Sequence, residues 1–529
     1  MNAILIFEHL AVIGTYKKAV IVTAITAVVM SFLTGCQEQF IAAPNEPNAA
    51  YAPASTEIDV LSQKLRQLVK ELEYPDAVAE DFAGMLISWK DVQEHPVLVV
   101  WKNKLTRAKE DYEAAKISKE QFAMTEWAVI RELSQRIKEE ISTGPDKSFD
   151  LADVVRHKQA DCTGYSQTIY VLANSVGLSV QTIEVAELVI PVQMPKGTGR
   201  IACIAALTND KKVMVDLAAA SPMVSAMFDL KAGFDKVGGY WKLRDEDNPL
   251  RIHKKIQILD KNGLIAAIYC NRGNKHNKSG QPAEAVSILT KAIELAPKFA
   301  WSYNNRGKAY LKLNRPGQAI SDFNRLIELD PNSPNAYNYR GVAYFNSQQF
   351  NRALADFNEA VRFDPNYAEP YFNRGSAYLK LNRPYQAVAD YTEAVKLKPK
   401  WPRAYFRRGF AYAGLRRYNE AIQDYSETIK LNPAYPVAYY RRAVAYSKMN
   451  QPNETLADLT QAIALNPDYA DAYVARGATY AFLKRTYEAE QDLYIAVELN
   501  PALKQYVQKI SDQFELGLQL EDSSGPDVK

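Results

Sequence analysis

Histidine and cysteine are scarce in this chain, five and four in 529 residues. No Cys-x-x-Cys occurs, which excludes a dithiol redox motif and a zinc knuckle. There is no His-Glu-x-x-His, no Gly-x-Ser-x-Gly and no glycine-rich phosphate loop, so the signatures of zinc proteases, serine hydrolases and nucleotide-binding enzymes are missing. An excess of one charge is also lacking. Sixty-four Lys and Arg stand against 61 Asp and Glu, a net charge of +3 that gives no argument for nucleic acid. From these absences we expect no cofactor, no bound metal and no nucleic acid partner.

What is present is a period. An Arg returns every 34 residues, at Arg272, Arg306, Arg340, Arg374, Arg408, Arg442 and Arg476. Gly follows each of them except Arg442, which Ala443 follows. If the unit starts at Ala266, position 11 is Tyr in six units, position 20 is Ala in six, position 24 is Leu, Phe or Tyr, and position 32 is always Pro. The small residues at 8 and 20 let two helices approach closely, and the large ones at 11 and 24 fill the space between units. Pro at 32 has no N–H and so separates one helix pair from the next. Position 23 is Asp in every unit but the first, where Ile288 stands, so cation and anion repeat together and predict a series of structural ion pairs. A fixed period of this length indicates a solenoid of stacked units, which exposes an extended binding surface.

Over roughly 265–503 this pattern resembles the tetratricopeptide repeat (TPR) family, in seven helix-turn-helix units. In that family, positions 2, 5, 6, 9, 12 and 13 face a concave groove. The resemblance therefore implies a peptide-binding set of Asn304, Lys308, Asn338, Phe345, Phe372, Asn373, Arg403, Phe406, Arg407, Phe410, Tyr440 and Arg441. Aromatics beside cations in units four to six suit an extended protein or peptide ligand with apolar anchors and some acidic residues. The same aromatics would also suit inter-helix packing. After Pro501, the spacing of Tyr506, Ile510, Phe514 and Leu518 predicts one amphipathic capping helix within 504–529.

The N-terminal end has a different character. Lys17 and Lys18 precede an apolar run over 19–33, followed by Leu33-Thr34-Gly35-Cys36. A basic start, a short apolar core and a small residue before a cleavage point make a secretory signal, too short for a spanning helix. Its ending resembles a bacterial lipoprotein signal over 1–36, which implies acylation of Cys36, a lipid-anchored envelope protein and membrane attachment through the N-terminal lipid. Gln37 in place of the Asp that favours inner-membrane retention points toward the outer membrane. Residues 37–55, rich in Ala, Pro and Asn, read as a tether. With Cys36 acylated, Cys162, Cys203 and Cys270 remain, an odd number that leaves at least one thiol free of an internal disulfide.

Residues 56–260 read as a helical segment followed by strands. Around Cys162 the chain runs Ala160-Asp161-Cys162-Thr163-Gly164-Tyr165-Ser166, then an apolar helix to Leu178, then apolar runs at 180–185, 201–207 and 213–217, the last holding Asp216. This order resembles the transglutaminase-like family of the papain-type fold, which implies an α+β domain ahead of the all-α solenoid. The family's chemistry needs Cys, His and Asp in that order, the His passing a proton between nucleophile and leaving group. Cys162 and Asp216 fit the first and third places. No His lies between them, and Arg200 stands near the missing one. A guanidinium stays protonated and cannot serve as base and then acid. His157, before the Cys turn, and His253, in the connector to the repeats, are the remaining candidates to enter the cleft. The reading is a vestigial constellation of Cys162, Asp216 and Arg200 in an envelope scaffold. The alternatives are a cysteine-dependent peptidase or acyl transferase using Cys162, and a structural protein whose repeats self-associate.

Overall fold

The computed structural model describes residues 55–91, 94–143, 151–157, 159–160, 162–188, 200–216, 223–224, 234–237, 240–243 and 253–518. The signal, Cys36 and the tether as far as residue 54 lie outside the described residues, and Ser55, expected in the tether, opens the first helix. Among the described residues, no helix is long and apolar enough to cross a membrane.

Residues from Asp59 onward belong to one compact unit. Four helices lead: α1 (Ser55–Glu71), α2 (Asp76–Ile87), α3 (Val97–Glu113) and α4 (Lys119–Glu140). Ser118 caps α4 in a reciprocal capping box with Gln121, which satisfies amides that the first turn would leave unpaired. Leu61, Leu65 and Val69 on α1, and Ile130, Leu133 and Ile137 on α4, are buried. Two short parallel strands, β1 (Ser142–Thr143) and β2 (Gln159–Ala160), flank α5 (Leu151–His157), and α6 (Cys162–Ser175) follows.

Seven further strands form one sheet: β3 (Ser179–Leu188), β4 (Arg200–Ala206), β5 (Lys212–Asp216), β6 (Met223–Val224), β7 (Phe234–Val237), β8 (Tyr240–Leu243) and β9 (His253–Leu259). Their order is β6-β5-β4-β3-β9-β8-β7, and every neighbouring pair is antiparallel. Helix α6 packs on β3 and β4.

The C-terminal half is a run of helix pairs, A then B: Lys261–Lys278 with Pro282–Leu295, Ala300–Lys312 with Pro316–Leu329, Pro334–Asn346 with Phe350–Phe363, Ala368–Lys380 with Pro384–Leu397, Pro402–Gly414 with Tyr418–Leu431, Pro436–Lys448 with Pro452–Leu465, and Ala470–Phe482 with Thr486–Leu499. Each pair turns through position 15, which takes positive φ whether it is Gly280, Asn314, Gln348, Asn382, Arg416, Asn450 or Lys484. The close approach expected at position 8 is real. A Cβ on Gly341 would lie 2.6 Å from Cε1 of Phe357, the residue at position 24 of the same unit. The A helices of successive repeats pack on one another, which makes the A face the concave side.

Helix Lys504–Gln513 closes the array, with Val507 and Ile510 in one apolar cluster with Val474, Leu493 and Ala496 of the last repeat. Of the predicted stripe, Ile510 is buried and Phe514 and Leu518 pack on the cluster, whereas Tyr506 is exposed and its neighbour Val507 is buried instead.

Candidate functional site

The repeated Arg is structural. In repeat 4 the Arg374 guanidinium grips Asp390 with Nε to Oδ2 at 2.8 Å and Nη2 to Oδ1 at 2.6 Å, while Nη1 donates to Asn358 Oδ1 of repeat 3 at 2.7 Å. The same triple contact recurs at Arg306, Arg340, Arg408, Arg442 and Arg476, with Thr290, Asn324, Thr392, Ser426 and Thr460 as the residue of the preceding unit. Each Arg therefore closes its own helix pair and also bonds the pair before it. Burial pushes the carboxyls of Asp322, Asp356, Asp390 and Asp424 above their usual range, and the paired Arg offsets part of that rise. Arg272, with Ile288 in place of Asp, instead lies 5.2 Å from the ring centroid of Tyr74, at the α1–α2 junction. The other end is marked by Tyr494, exposed at the position that accepts the next repeat's Arg elsewhere.

The concave face divides into two stretches. Repeats 2 to 4 present amides. Asn373 Nδ2 donates to Asn338 Oδ1 at 2.9 Å, and Asn338 Nδ2 donates to the Tyr367 hydroxyl at 3.2 Å. Asn304 is 4% exposed, and its Oδ1 has no hydrogen-bond partner among the described residues. One turn along, the Lys308 ammonium sits 4.2 Å from the Tyr339 ring centroid, and burial pushes its pKa down to about 8. Phe345 is half-buried and meets Phe350 edge-on.

Repeats 4 to 6 present aromatics and cations. Phe372 is packed against Trp401 at 4.6 Å and Tyr391 at 5.6 Å, and is itself 9% exposed. Phe406 stands between Tyr425 and Tyr435, and Tyr440 against Tyr469. Arg403 and Arg407 are exposed, and Arg441 lies 5.5 Å from the Phe410 centroid. Among the described residues, none of these three Arg has a carboxylate within salt-bridge distance, whereas the adjacent Arg408 and Arg442 are paired with Asp424 and Asp458. The groove thus holds positive charge that no described carboxylate pairs. Sequence reasoning missed Tyr367, Trp401, Tyr435 and Tyr469. All occupy position 34, which is aromatic at five of the seven unit ends, a periodic signal that was there to be found.

The Cys162 constellation is described only through its backbone. Cys162 opens α6, Arg200 opens β4 opposite Val185, and Asp216 ends β5 opposite Met223. The side chains of Cys162, Arg200 and Asp216 lie outside the described residues. The topology brings all three positions to one end of the sheet, since β3 leads away from the C-terminal end of α6 and β4 returns beside it. The phase of the strands is informative. Cys203 Sγ contacts Ser166 O of α6 at 3.4 Å and pairs in register with Val215. Arg200 and Asp216 fall on positions out of phase with Cys203, whereas Ile201 is in phase with it. Among the described residues, no group of three His, Cys, Asp or Glu could hold a metal ion.

Family profiles described as Tetratricopeptide repeat match residues 266–299, 300–333, 323–355, 368–400, 402–435 and 436–469, and one described as TPR repeat matches 343–382. The C-terminal half is a TPR array. Similar solved structures include YrrB, titled a TPR protein with an unusual peptide-binding site, 26% identical over 35% of this chain and 95% of that one at a TM-score of 0.31. MamA from Desulfovibrio magneticus RS-1 is 20% identical over 32% of this chain and 96% of that one, at 0.31. PilF of Pseudomonas aeruginosa is 17% identical over 38% of this chain and 92% of that one, at 0.36. No curated protein matches the chain.

Proposed function

We propose that this chain is a lipid-anchored interaction scaffold of the bacterial envelope. Its TPR groove holds an extended segment of a partner protein, and its transglutaminase-like domain has lost acid–base catalysis. The observation that carries the groove reading is the set Arg403, Arg407 and Arg441, three cations without carboxylate partners set among aromatics on the A helices of adjacent repeats. The Phe372, Phe406 and Tyr440 rings, packed against Trp401, Tyr435 and Tyr469, need little further ordering when a ligand arrives, which lowers the entropic cost of binding. The anchor rests on the sequence ending at Cys36, and its acylation would hold the groove at a membrane surface.

The lapsed-enzyme reading rests on the missing His between Cys162 and Asp216 and on Arg200, which cannot cycle a proton. One observation favours the rival enzyme: Cys162 opens a helix of 14 residues, a place that lowers a thiol pKa. Hydrolysis of peptide or amide substrates that is lost in Cys162→Ala would establish that rival.

The groove is tested by crosslinked capture from detergent-solubilised membranes, native chain against Arg403→Glu/Arg407→Glu. Both side chains are exposed, so the fold is kept. A partner lost by the variant supports the groove; a partner held equally by both removes it.

A further inference from the structure

The groove has one socket that the repeat pattern does not explain. Position 13, the end of helix A, is Lys278, Lys312, Asn346, Lys380, Lys448 and Phe482 in six repeats and Gly414 in the fifth. A Cβ on Gly414 would meet nothing within 4 Å. The space left open is part of a cavity of 210 Å³ between repeats 5 and 6, whose walls include Phe410, Gly414, Tyr418, Tyr425, Arg441 and Val444.

Two polar groups of this cavity lack partners among the described residues. Tyr425 is 1% exposed and lines the cavity, and its hydroxyl is not hydrogen-bonded to any described residue, though it is not among the fully buried unpaired atoms. The equivalent Tyr391 of repeat 4 bonds Ser376 Oγ at 3.0 Å, and the residue in the place of Ser376 is Phe410, which has nothing to offer. The Arg441 guanidinium lies 5.5 Å from the Phe410 ring centroid and meets no carboxylate among the described residues. An apolar socket with a tyrosine hydroxyl at its wall and a cation that meets no described carboxylate is complementary to an apolar side chain with an acceptor next to it.

We infer that this cavity receives one large apolar side chain of the bound segment, with a neighbouring carboxylate on Arg441 and an acceptor oxygen on Tyr425. The partner is thereby specified as an acidic peptide with an aromatic or large aliphatic anchor. This inference rests on the reading that the TPR groove holds an extended segment. It goes beyond that reading by naming the anchor site and the chemistry around it.

The test is fluorescence anisotropy on the full chain with three labelled peptides: Gly-Asp-Glu-Phe-Asp-Glu-Gly, the same peptide with Ala for Phe, and the same with Lys for every acid. The first is expected to bind, and the other two at least tenfold more weakly. Gly414→Phe, which fills the socket, and Arg441→Gln should each weaken the first peptide at least tenfold. Tyr425→Phe should weaken it severalfold; Phe323 and Phe357 hold that position in repeats 2 and 3, so folding is preserved. Unchanged melting temperatures certify all three variants. Binding unaffected by Gly414→Phe overturns the socket. If Arg403→Glu/Arg407→Glu then abolishes that binding, the groove reading stands while the socket falls. If none of the peptides binds the native chain, the socket is overturned, and the groove is judged separately by partner capture.

Discussion

Removing one rung of the Arg–Asp series should cost far more than a surface ion pair, and by an amount that depends on pH. Arg374 and Asp390 are 17% and 8% exposed, joined by two short hydrogen bonds, with a third from Arg374 to the preceding repeat. Arg374→Met leaves Asp390 buried without its cation, a change that costs about 3–5 kcal/mol in closed sites. The Arg is partly solvated, so we expect the lower end, about 3 kcal/mol. In an array this long that corresponds to a fall of roughly 6–12 °C in the melting of the affected repeats. Burial already raises the Asp390 carboxyl, and loss of Arg374 raises it further. A folded pKa above the unfolded one gives stability that is present at low pH and lost as pH rises through the folded value. The variant's deficit should therefore be largest at pH 7 and shrink below pH 5. The assay is thermal or urea unfolding at both pH values for Arg374→Met, Asp390→Leu and the double variant. The double variant removes both charges and should be more stable than Arg374→Met alone, since an apolar pair can replace a buried ion pair at small cost. A loss under 1 kcal/mol at pH 7, or a double variant as unstable as the sum of the singles, would refute the reasoning.

Lys308 should make stability rise with pH. Its pKa is about 8 in the fold against an ordinary 10.5, so its contribution is full above 10.5 and lost as pH falls through about 8. The effect is at most on the order of 3 kcal/mol, and Lys308→Met should flatten the pH profile of unfolding between those values. Gly341→Ala should destabilise, because about 1–3 kcal/mol of overpacking against Phe357 exceeds the helix gain of about 1 kcal/mol. Gly414→Ala meets no neighbour and should stabilise by about 1 kcal/mol; calorimetry that gives both the same sign would contradict the packing account. Cys203 and Cys270 are buried. Iodoacetamide should modify them at the rate of unfolding, and rapid labelling of either in the native chain would show that the packing is looser than described.

The repeat was legible because every unit writes the same packing in the same place. Gly at 8, Ala at 20, the bulky residue at 24 and the Arg–Asp pair each recur, so a single unit's physics could be read seven times. What escaped were contacts that cross unit boundaries. The third hydrogen bond of each Arg reaches position 25 of the unit before it, where Thr, Asn and Ser look interchangeable with any surface residue. The aromatics at position 34 belong to no helix centre and carry no amphipathic signal, yet Trp401 and Tyr435 pack directly on Phe372 and Phe406. The burial of Lys308 was equally hidden, since it follows from Tyr339 one repeat away. In the front domain the strands were visible from their apolar runs, while the insertion of β9 between β3 and β8 was not, because strand order is decided by tertiary pairing. The phase of Arg200 and Asp216 relative to Cys203 also needed the observed register.

The claim that the concave face is the working surface is tested most directly by placing a photo-crosslinking amino acid at Arg407, on the A face, and separately at Tyr385, exposed on a B helix. Irradiation in intact membranes should yield a discrete adduct from position 407 and none from 385. An adduct from 385 alone, or the same adduct from both, would contradict the account.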